Sequence, residues 1–444
     1  MRRLSWSLAA VVFVAAAGGA TGPDEPVRQA RTGSGADLPT YIKKDEPKFS
    51  WKLKNKMTTD AGTTYELELV SQEWHDITWK HRIDVFQPKD VKPNATMLIY
   101  NTGGYNAGYP LFGFELANKI KAPVAFLYDI PNQPLFDGKK EDALIAETFV
   151  RALETKDTTW PLLFPMAKSV VKAMDALQAF TKDEFKEQAT RFVLTGGSKR
   201  GWTTWLASAS DPRIVAFAPL VIDTLKMTDQ MEHQLQSFGK YSEMIHDYTE
   251  RKLVPLPPGE DAKKLWQMVD PYFYREQAKQ PKLLINGTND PYWTGDALNL
   301  YWDDLKGDKW VLYVPNAGHN LQEPDKSRAR ATNALAAFAR SVTVGKPFPT
   351  LKWKHDDADG KARLKIETSA APKAARVWTA TAPTRDFREA KWKESAATIA
   401  DNTILVTAER PKEGYKEFFV EMEYEIDGIK YNLSTQLRVL EKAK

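Results

Sequence analysis

Cysteine is absent from this 444-residue chain, so it can carry neither a disulfide nor a lipid-modified cysteine. Histidine is scarce, at six, and no two stand at H-x-x-x-H spacing. Without thiolates or paired imidazoles, no metal site of the zinc type is expected, and no cofactor is expected either. Charge of one sign is lacking too: 62 Lys+Arg face 58 Asp+Glu, without a long basic run. That balance argues against a nucleic-acid surface. Beyond the amino terminus no run of about 18 apolar residues occurs, so no stable membrane span is expected once a signal is removed. The run Asp356-Asp357-Ala358-Asp359-Gly360 resembles part of a calcium loop but lacks the later bidentate glutamate, and reads as a hairpin turn.

What is present begins with Arg2 and Arg3, an apolar run from Leu8 to Ala17, and the small residues Gly18, Gly19 and Ala20. Residues 1–20 therefore read as a cleavable signal peptide, which predicts a secreted or periplasmic protein with a mature terminus near Gly22. Removing Arg2 and Arg3 leaves 60 basic residues against 58 acidic ones, close to neutral. Residues 21–38, rich in Gly, Pro and charge, read as a disordered leader. The remaining length exceeds one ordinary core and favours two domains.

From about Thr63 to Pro88 two alternating runs predict an antiparallel strand pair at a sheet edge. Short apolar runs then alternate with helix-length amphipathic stretches: MLIY (97–100), VAFL (124–127), FVL (192–194), IVAFAPLVI (214–222), KLLIN (282–286) and WVLYV (310–314). This predicts an α/β fold, a mostly parallel sheet flanked by helices, over residues 39–346. A helical insertion at about 224–280 is expected to cap the site. After Pro347 the pattern changes to short alternating strands, predicting a small antiparallel β domain, sandwich-like, over 347–444.

Ligands in such sheets collect beyond the carboxyl ends of the strands. Three of those ends carry complementary chemistry: Ser198 after FVLTGG, Asp290 after LLINGTN, and His319 after VLYVPNAG. A serine hydroxyl needs an exposed turn, a base and nearby backbone N–H groups before it can act as a nucleophile. The order Ser, Asp, His matches the α/β-hydrolase triad, with His319 as base and Asp290 fixing its tautomer. The elbow departs from G-x-S-x-G, because Arg200 fills the expected glycine position and Gly201 comes one residue later. Lys199 N–H and the turn Gly103-Gly104 after MLIY are the candidates for an oxyanion hole. Lys199 and Arg200 side chains either place charge near that oxyanion or pair with carboxylates. Tyr105, Trp202, Tyr292 and Trp293 are candidate substrate-binding aromatics, each with a plain core role as the alternative.

The segments SQEW (71–74), GGSKRGWTTWLASASDPRI (196–214), DPYFYREQAKQPKLLINGTNDPYW (270–293) and YVPNAGHNL (313–321) resemble the PhoPQ-activated pathogenicity-related proteins, a family similar to α/β-hydrolases. The resemblance covers about residues 40–345. It implies a secreted or periplasmic protein with a hydrolase-like core, Ser198, Asp290 and His319 in the triad positions, and a displaced elbow glycine as a family feature. NGTNDPYW also resembles the acid loop of prolyl-oligopeptidase-type peptidases. Three functions follow as expectations: an exported serine hydrolase acting on a small-molecule ester, a glycoside ester or a peptide; a secreted signalling or binding protein with little turnover; and a prolyl-oligopeptidase-like peptidase. Oligomeric state is not set by the sequence.

Overall fold

The structure is a computed structural model that describes residues 37–442. The expected signal segment, and the leader up to residue 36, lie outside the described residues. Asp37 already belongs to the fold, since its carboxylate caps α1 (Leu38–Lys43) through the Thr40 N–H.

Three antiparallel strands open the sheet: β1 (Ser50–Thr59), β2 (Gly62–Trp74) and β3 (Ile77–Pro88). β2 and β3 are the expected pair. The edge strand is β1, exposed along almost its whole length, whose Trp51, Leu53 and Met57 alternate with Lys52, Lys54 and Lys56. Strands β4 (Thr96–Asn101), β5 (Val124–Leu127), β6 (Arg191–Gly197), β7 (Ile214–Leu220), β8 (Lys282–Gly287) and β9 (Lys309–Val314) correspond to the six apolar runs. They lie parallel in the order β5-β4-β6-β7-β8-β9, and β3 joins β5 antiparallel.

Side chains on these strands alternate between two cores, as the pleat requires. Met97, Ile99, Phe192 and Leu194 face one side, beneath α3 (Glu141–Thr155), α4 (Leu163–Glu184) and α5 (Lys199–Ser208). Leu98, Val193, Leu283 and Leu312 face the other, beneath α2 (Tyr109–Ile120) and α9 (Ala329–Val344). Burial on both faces is what turned these strands into short continuous apolar runs in the sequence.

Between β7 and β8 the insertion folds as α6 (Met227–Phe238), α7 (His246–Glu250) and α8 (Glu260–Val269). Its two ends are stapled together: buried Asp270, just past α8, accepts the N–H groups of Lys226 and Met227 at the start of α6.

The carboxy-terminal strands do not stand apart from the parallel sheet. They are β10 (Leu351–Ala358), β11 (Lys361–Thr368), β12 (Ala374–Ala382), β13 (Lys393–Ala396), β14 (Ile399–Ala400), β15 (Thr403–Ala408), β16 (Tyr415–Ile426), β17 (Ile429–Ser434) and β18 (Arg438–Glu441). β17 pairs with β9 through Ser434 and Val311, so β17, β16, β12 and β13, with β18 paired to β16, prolong the main sheet to 14 strands. The four-stranded sheet β10-β11-β15-β14 supplies Leu364, Ile366 and Val406 to the same core as Phe418, Val420 and Met422, giving the sandwich-like layer. The acidic run at 356–360 is a hairpin: Asp359 and Gly360 have φ of 53° and 74° between paired Ala358 and Lys361. Asp356 pairs with Arg363, and Asp357 with Arg410 and Arg438.

Candidate active site

Ser198 sits between β6 and α5 with φ 56° and ψ −127°, a conformation that costs a residue with a Cβ about 1–3 kcal/mol. Hydrogen bonds on both sides hold it there, from Ser198 N–H to the Leu220 carbonyl (2.9 Å) and from Trp202 N–H to the Ser198 carbonyl (2.9 Å). The displaced glycine has a packing reason. A Cβ on Gly201 would stand 2.9 Å from the Leu220 carbonyl oxygen and 3.0 Å from that of Gly196, so α5 approaches the sheet at this position. Arg200, one residue earlier, points away from that contact.

Arg200 instead grips Glu141 with two parallel hydrogen bonds of 2.6 Å and donates to the Ile130 carbonyl. Its guanidinium lies where a side chain on Gly103 would have to go, with Nη2 at 2.7 Å from that Cβ position. The Gly103 carbonyl in turn accepts the Asp129 N–H (2.8 Å). Lys199 Nζ is buried and lies 3.0 Å from Glu141 and 3.1 Å from Asp142. Burial opposes a charge on Glu141, but Arg200 and Lys199 overcome it and hold its pKa down at about 2. Of the two sequence alternatives for Lys199 and Arg200, carboxylate pairing is therefore the one observed. Glu141 and Asp142 carried no signature in the sequence, since they open an ordinary helix after two lysines.

Asp290 follows β8 and His319 follows β9. His319 Nδ1 lies 2.8 Å from Asp290 Oδ2, while Asp290 Oδ1 accepts the Tyr292 N–H. The His319 ring packs against Tyr292 with centroids 4.1 Å apart. Its Nε2 is buried and has no hydrogen-bond partner among the described residues. No hydrogen bond joins it to Ser198 Oγ; in ligand-free sites such contacts are often long and tighten on binding. The two loops touch backbone to backbone, because a Cβ on Gly287 would fall 2.3 Å from the Ala317 carbonyl oxygen.

The carboxy-terminal region braces both loops. Asn289 donates to the carbonyls of Phe387, Arg388 and Ala390, and Asn316 exchanges hydrogen bonds with both the N–H and the carbonyl of Trp392. Each asparagine lies within three residues of its triad position.

A cavity of about 450 Å³ opens under the cap, with Ser198 and Lys199 in its wall. Trp202, Tyr292 and Trp293 also line it. Trp202 is fixed by a 2.6 Å hydrogen bond from Nε1 to the Val269 carbonyl. Tyr105 lies elsewhere: it is 50% exposed and its ring sits under the Arg82 guanidinium, 4.6 Å away. Gly103 and Gly104 are outside the cavity wall, on the loop that Arg200 supports.

Two further features escaped the sequence reading. Asp223 is fully buried, accepts hydrogen bonds from Tyr301 (2.6 Å) and Asn286 (2.9 Å), and is pushed up to about 7 mainly by burial. It directly follows the run IVAFAPLVI, so the strand-end rule that found the other three residues also reaches it. His233 on α6 lies 2.6 Å from Asp296, a second histidine–aspartate pair whose partner is more than sixty residues away and therefore invisible to local pattern. No group of three or more potential metal ligands occurs among the described residues. No helix among them is long and apolar enough to cross a membrane.

Antiparallel strands leading into parallel strands in the order described, with Ser, Asp and His beyond the carboxyl ends of β6, β8 and β9, define an α/β-hydrolase fold with a helical cap. The chain belongs to the PhoPQ-activated pathogenicity-related protein family, which it matches over residues 38–388. It is 32% identical over 427 residues to autocrine proliferation repressor protein A of Dictyostelium discoideum, covering 87% of this chain and 85% of that protein. Among solved structures it is similar to acetyl xylan esterase 1 from Thermoanaerobacterium sp. JW/SL YS485, with TM-score 0.48 and 13% identity over 68% of this chain and 94% of that one. It is also similar to an S-formylglutathione hydrolase from Agrobacterium tumefaciens, with TM-score 0.43 and 11% identity over 66% and 98% of the two chains.

Proposed function

We propose that this protein is an exported serine hydrolase that cleaves an ester or amide through an acyl-enzyme. The observation that carries the reading is the state of His319: one ring nitrogen is bound to Asp290 and the other is buried without a partner. That is the disposition a general base requires. Ser198 Oγ attacks the acyl carbon and its proton passes to His319 Nε2. The alcohol or amine then departs with that proton. Water repeats the sequence: its oxygen bonds to the acyl carbon, its proton goes to His319, and Ser198 recovers its hydrogen as the acid leaves. Lys199 N–H, at the first turn of α5 where no intrahelical carbonyl is available, and the N–H groups of Gly103 and Gly104 would hold the oxyanion.

Ester cleavage is favoured over peptide trimming. Peptide trimming calls for a free carboxylate enclosed with the substrate amino group; in the cavity wall Asp142 is already taken by Lys199 and the Tyr248 hydroxyl, and Glu232, the other carboxylate there, is exposed to solvent. The name of the Dictyostelium relative favours a second reading, a signalling protein on the same fold with little turnover. A panel of acetyl esters, aryl esters and aminoacyl amides tested on wild type beside Ser198→Ala separates the two. The hydrolase reading expects at least one ester whose turnover disappears in the variant; identical rates across the panel would favour signalling.

A further inference from the structure

The lining of the capped cavity carries information about the substrate that the triad does not. On α6, Met227, Met231 and Leu235 follow at intervals of four residues and form one apolar stripe along the wall. Eight residues of helix make that stripe about 12 Å long. Trp202, Ile222 and Trp266 add further apolar lining to the same cavity. Leu235, at the far end, is 39% exposed, so the stripe runs out to solvent.

Of the three charged groups in the wall, Lys199 and Asp142 are paired. Lys199 is balanced by Glu141 and Asp142, and Asp142 also receives the Tyr248 hydroxyl. Glu232 is exposed at the flank of α6. Glu232 is the one charge in the wall without an ion pair among the described residues, and it stands in solvent, so the enclosed part of the wall offers no free charge to an ionic substrate and little to satisfy the hydroxyls of a sugar. Volume, length and lining match a single extended apolar group.

Ser198 lines this cavity, whereas His319 is not among the residues that do. Since His319 must hand its proton to the departing alcohol, the leaving group sits outside, and what fills the cavity is the part retained on the serine. Resting on the hydrolase reading above, we propose that the cavity is an acyl pocket and that the substrates are neutral esters of medium-chain, hexanoyl to decanoyl, acids.

Para-nitrophenyl esters from acetate to decanoate test this with a constant leaving group. Each buried methylene is worth about fourfold, so kcat/KM should rise on the order of a hundredfold from acetate to hexanoate. Met231→Trp, which fills the middle of the stripe, should cut decanoate turnover at least about tenfold and leave acetate within about threefold. Leu235→Asp, at an exposed position the cap tolerates, should slow decanoate about fivefold and not acetate. A flat series, a preference for acetate, or variants that slow every ester equally would overturn the proposal.

Binding supplies a readout independent of chemistry. On Ser198→Ala, ethyl octanoate should displace Nile red from the cavity and ethyl acetate should not, and Met231→Trp in that background should weaken displacement about tenfold. Displacement without turnover of any ester by wild type would uphold the apolar pocket and defeat the hydrolase reading. Turnover of acetate without displacement by octanoate would do the reverse.

Discussion

Two histidine–aspartate pairs draw their aspartates from the one loop after β8, and they differ in what surrounds them. His319 and Asp290 stand 2.8 Å apart; His233 and Asp296 stand 2.6 Å apart. Asp296 also receives the Arg385 guanidinium at 2.9 Å, and although burial opposes its charge, His233 and Arg385 hold its pKa below the usual carboxylate range. That makes a hydrogen-bonded latch between cap helix α6 and the segment after the acid loop. Asp290 has no guanidinium among its hydrogen-bond partners, its histidine keeps a buried nitrogen free, and the strained Ser198 stands on a loop of the same sheet end. A histidine–aspartate hydrogen bond is thus not by itself a catalytic sign. The unspent nitrogen and the neighbouring nucleophile are what separate a base from a tie.

The sharpest way to break this contrast is to remove each histidine in turn. His319→Ala should lower kcat on the best ester by about 10⁴-fold, and Asp290→Asn by a similar factor through loss of the correct tautomer. His233→Ala should leave kcat within about threefold in the same steady-state assay. Comparable losses from the two alanine variants would erase the distinction.

Next in size is the packing of Tyr292 on His319. Tyr292→Leu should reduce kcat about tenfold with KM little changed, because the ring orients the base. A fall confined to KM would make Tyr292 a binding residue alone.

Stability should respond on the latch side. Arg385→Met leaves Asp296 with His233 alone and should cost about 1–3 kcal/mol in urea unfolding, with no gain in turnover. Any increase in ester hydrolysis from this variant would mean that the second pair can serve as a base once unlocked.

Stability should respond to pH as well. Asp223 and Asp270 are both pushed up to about 7, chiefly by burial. Between roughly pH 4 and 7 the folded chain keeps these protons and the unfolded chain releases them, so stability should fall as pH rises through that window, by on the order of 2 kcal/mol per group. Urea midpoints at pH 5 and 7 measure it, and Asp223→Asn should flatten the slope. Glu141 works in the opposite sense. Its support of the Arg200 clamp is fully present above its ordinary value of 4.5 and is lost as pH falls toward about 2.

Much of this was legible in the sequence, and the physical reason is burial. The six parallel strands are covered on both faces, so each leaves a short apolar run, and the residue chemistry just beyond three of them already spelled Ser, Asp and His. The elbow's irregular glycine was visible as a departure; its cause, the close approach of Gly201 to the Leu220 and Gly196 carbonyls, needed three dimensions. Edge strand β1 does alternate, Trp51, Leu53 and Met57 against Lys52, Lys54 and Lys56, but the signal is weak because nearly every residue of it is exposed. Joining the carboxy-terminal strands to the main sheet rests on one register pair, Ser434 with Val311, which no periodicity encodes. The Arg200–Glu141 clamp and the His233–Asp296 latch, separated by 59 and 63 residues, were hidden for the same reason.

The central claim, that Ser198 is the nucleophile and His319 its base, is tested most directly by reacting the purified protein with a fluorophosphonate and mapping the adduct by mass spectrometry. The account predicts a single adduct on Ser198, lost in Ser198→Ala, strongly slowed in His319→Ala and kept in His233→Ala. Equal labelling of Ser198→Ala, or no labelling of the wild-type protein, would contradict it.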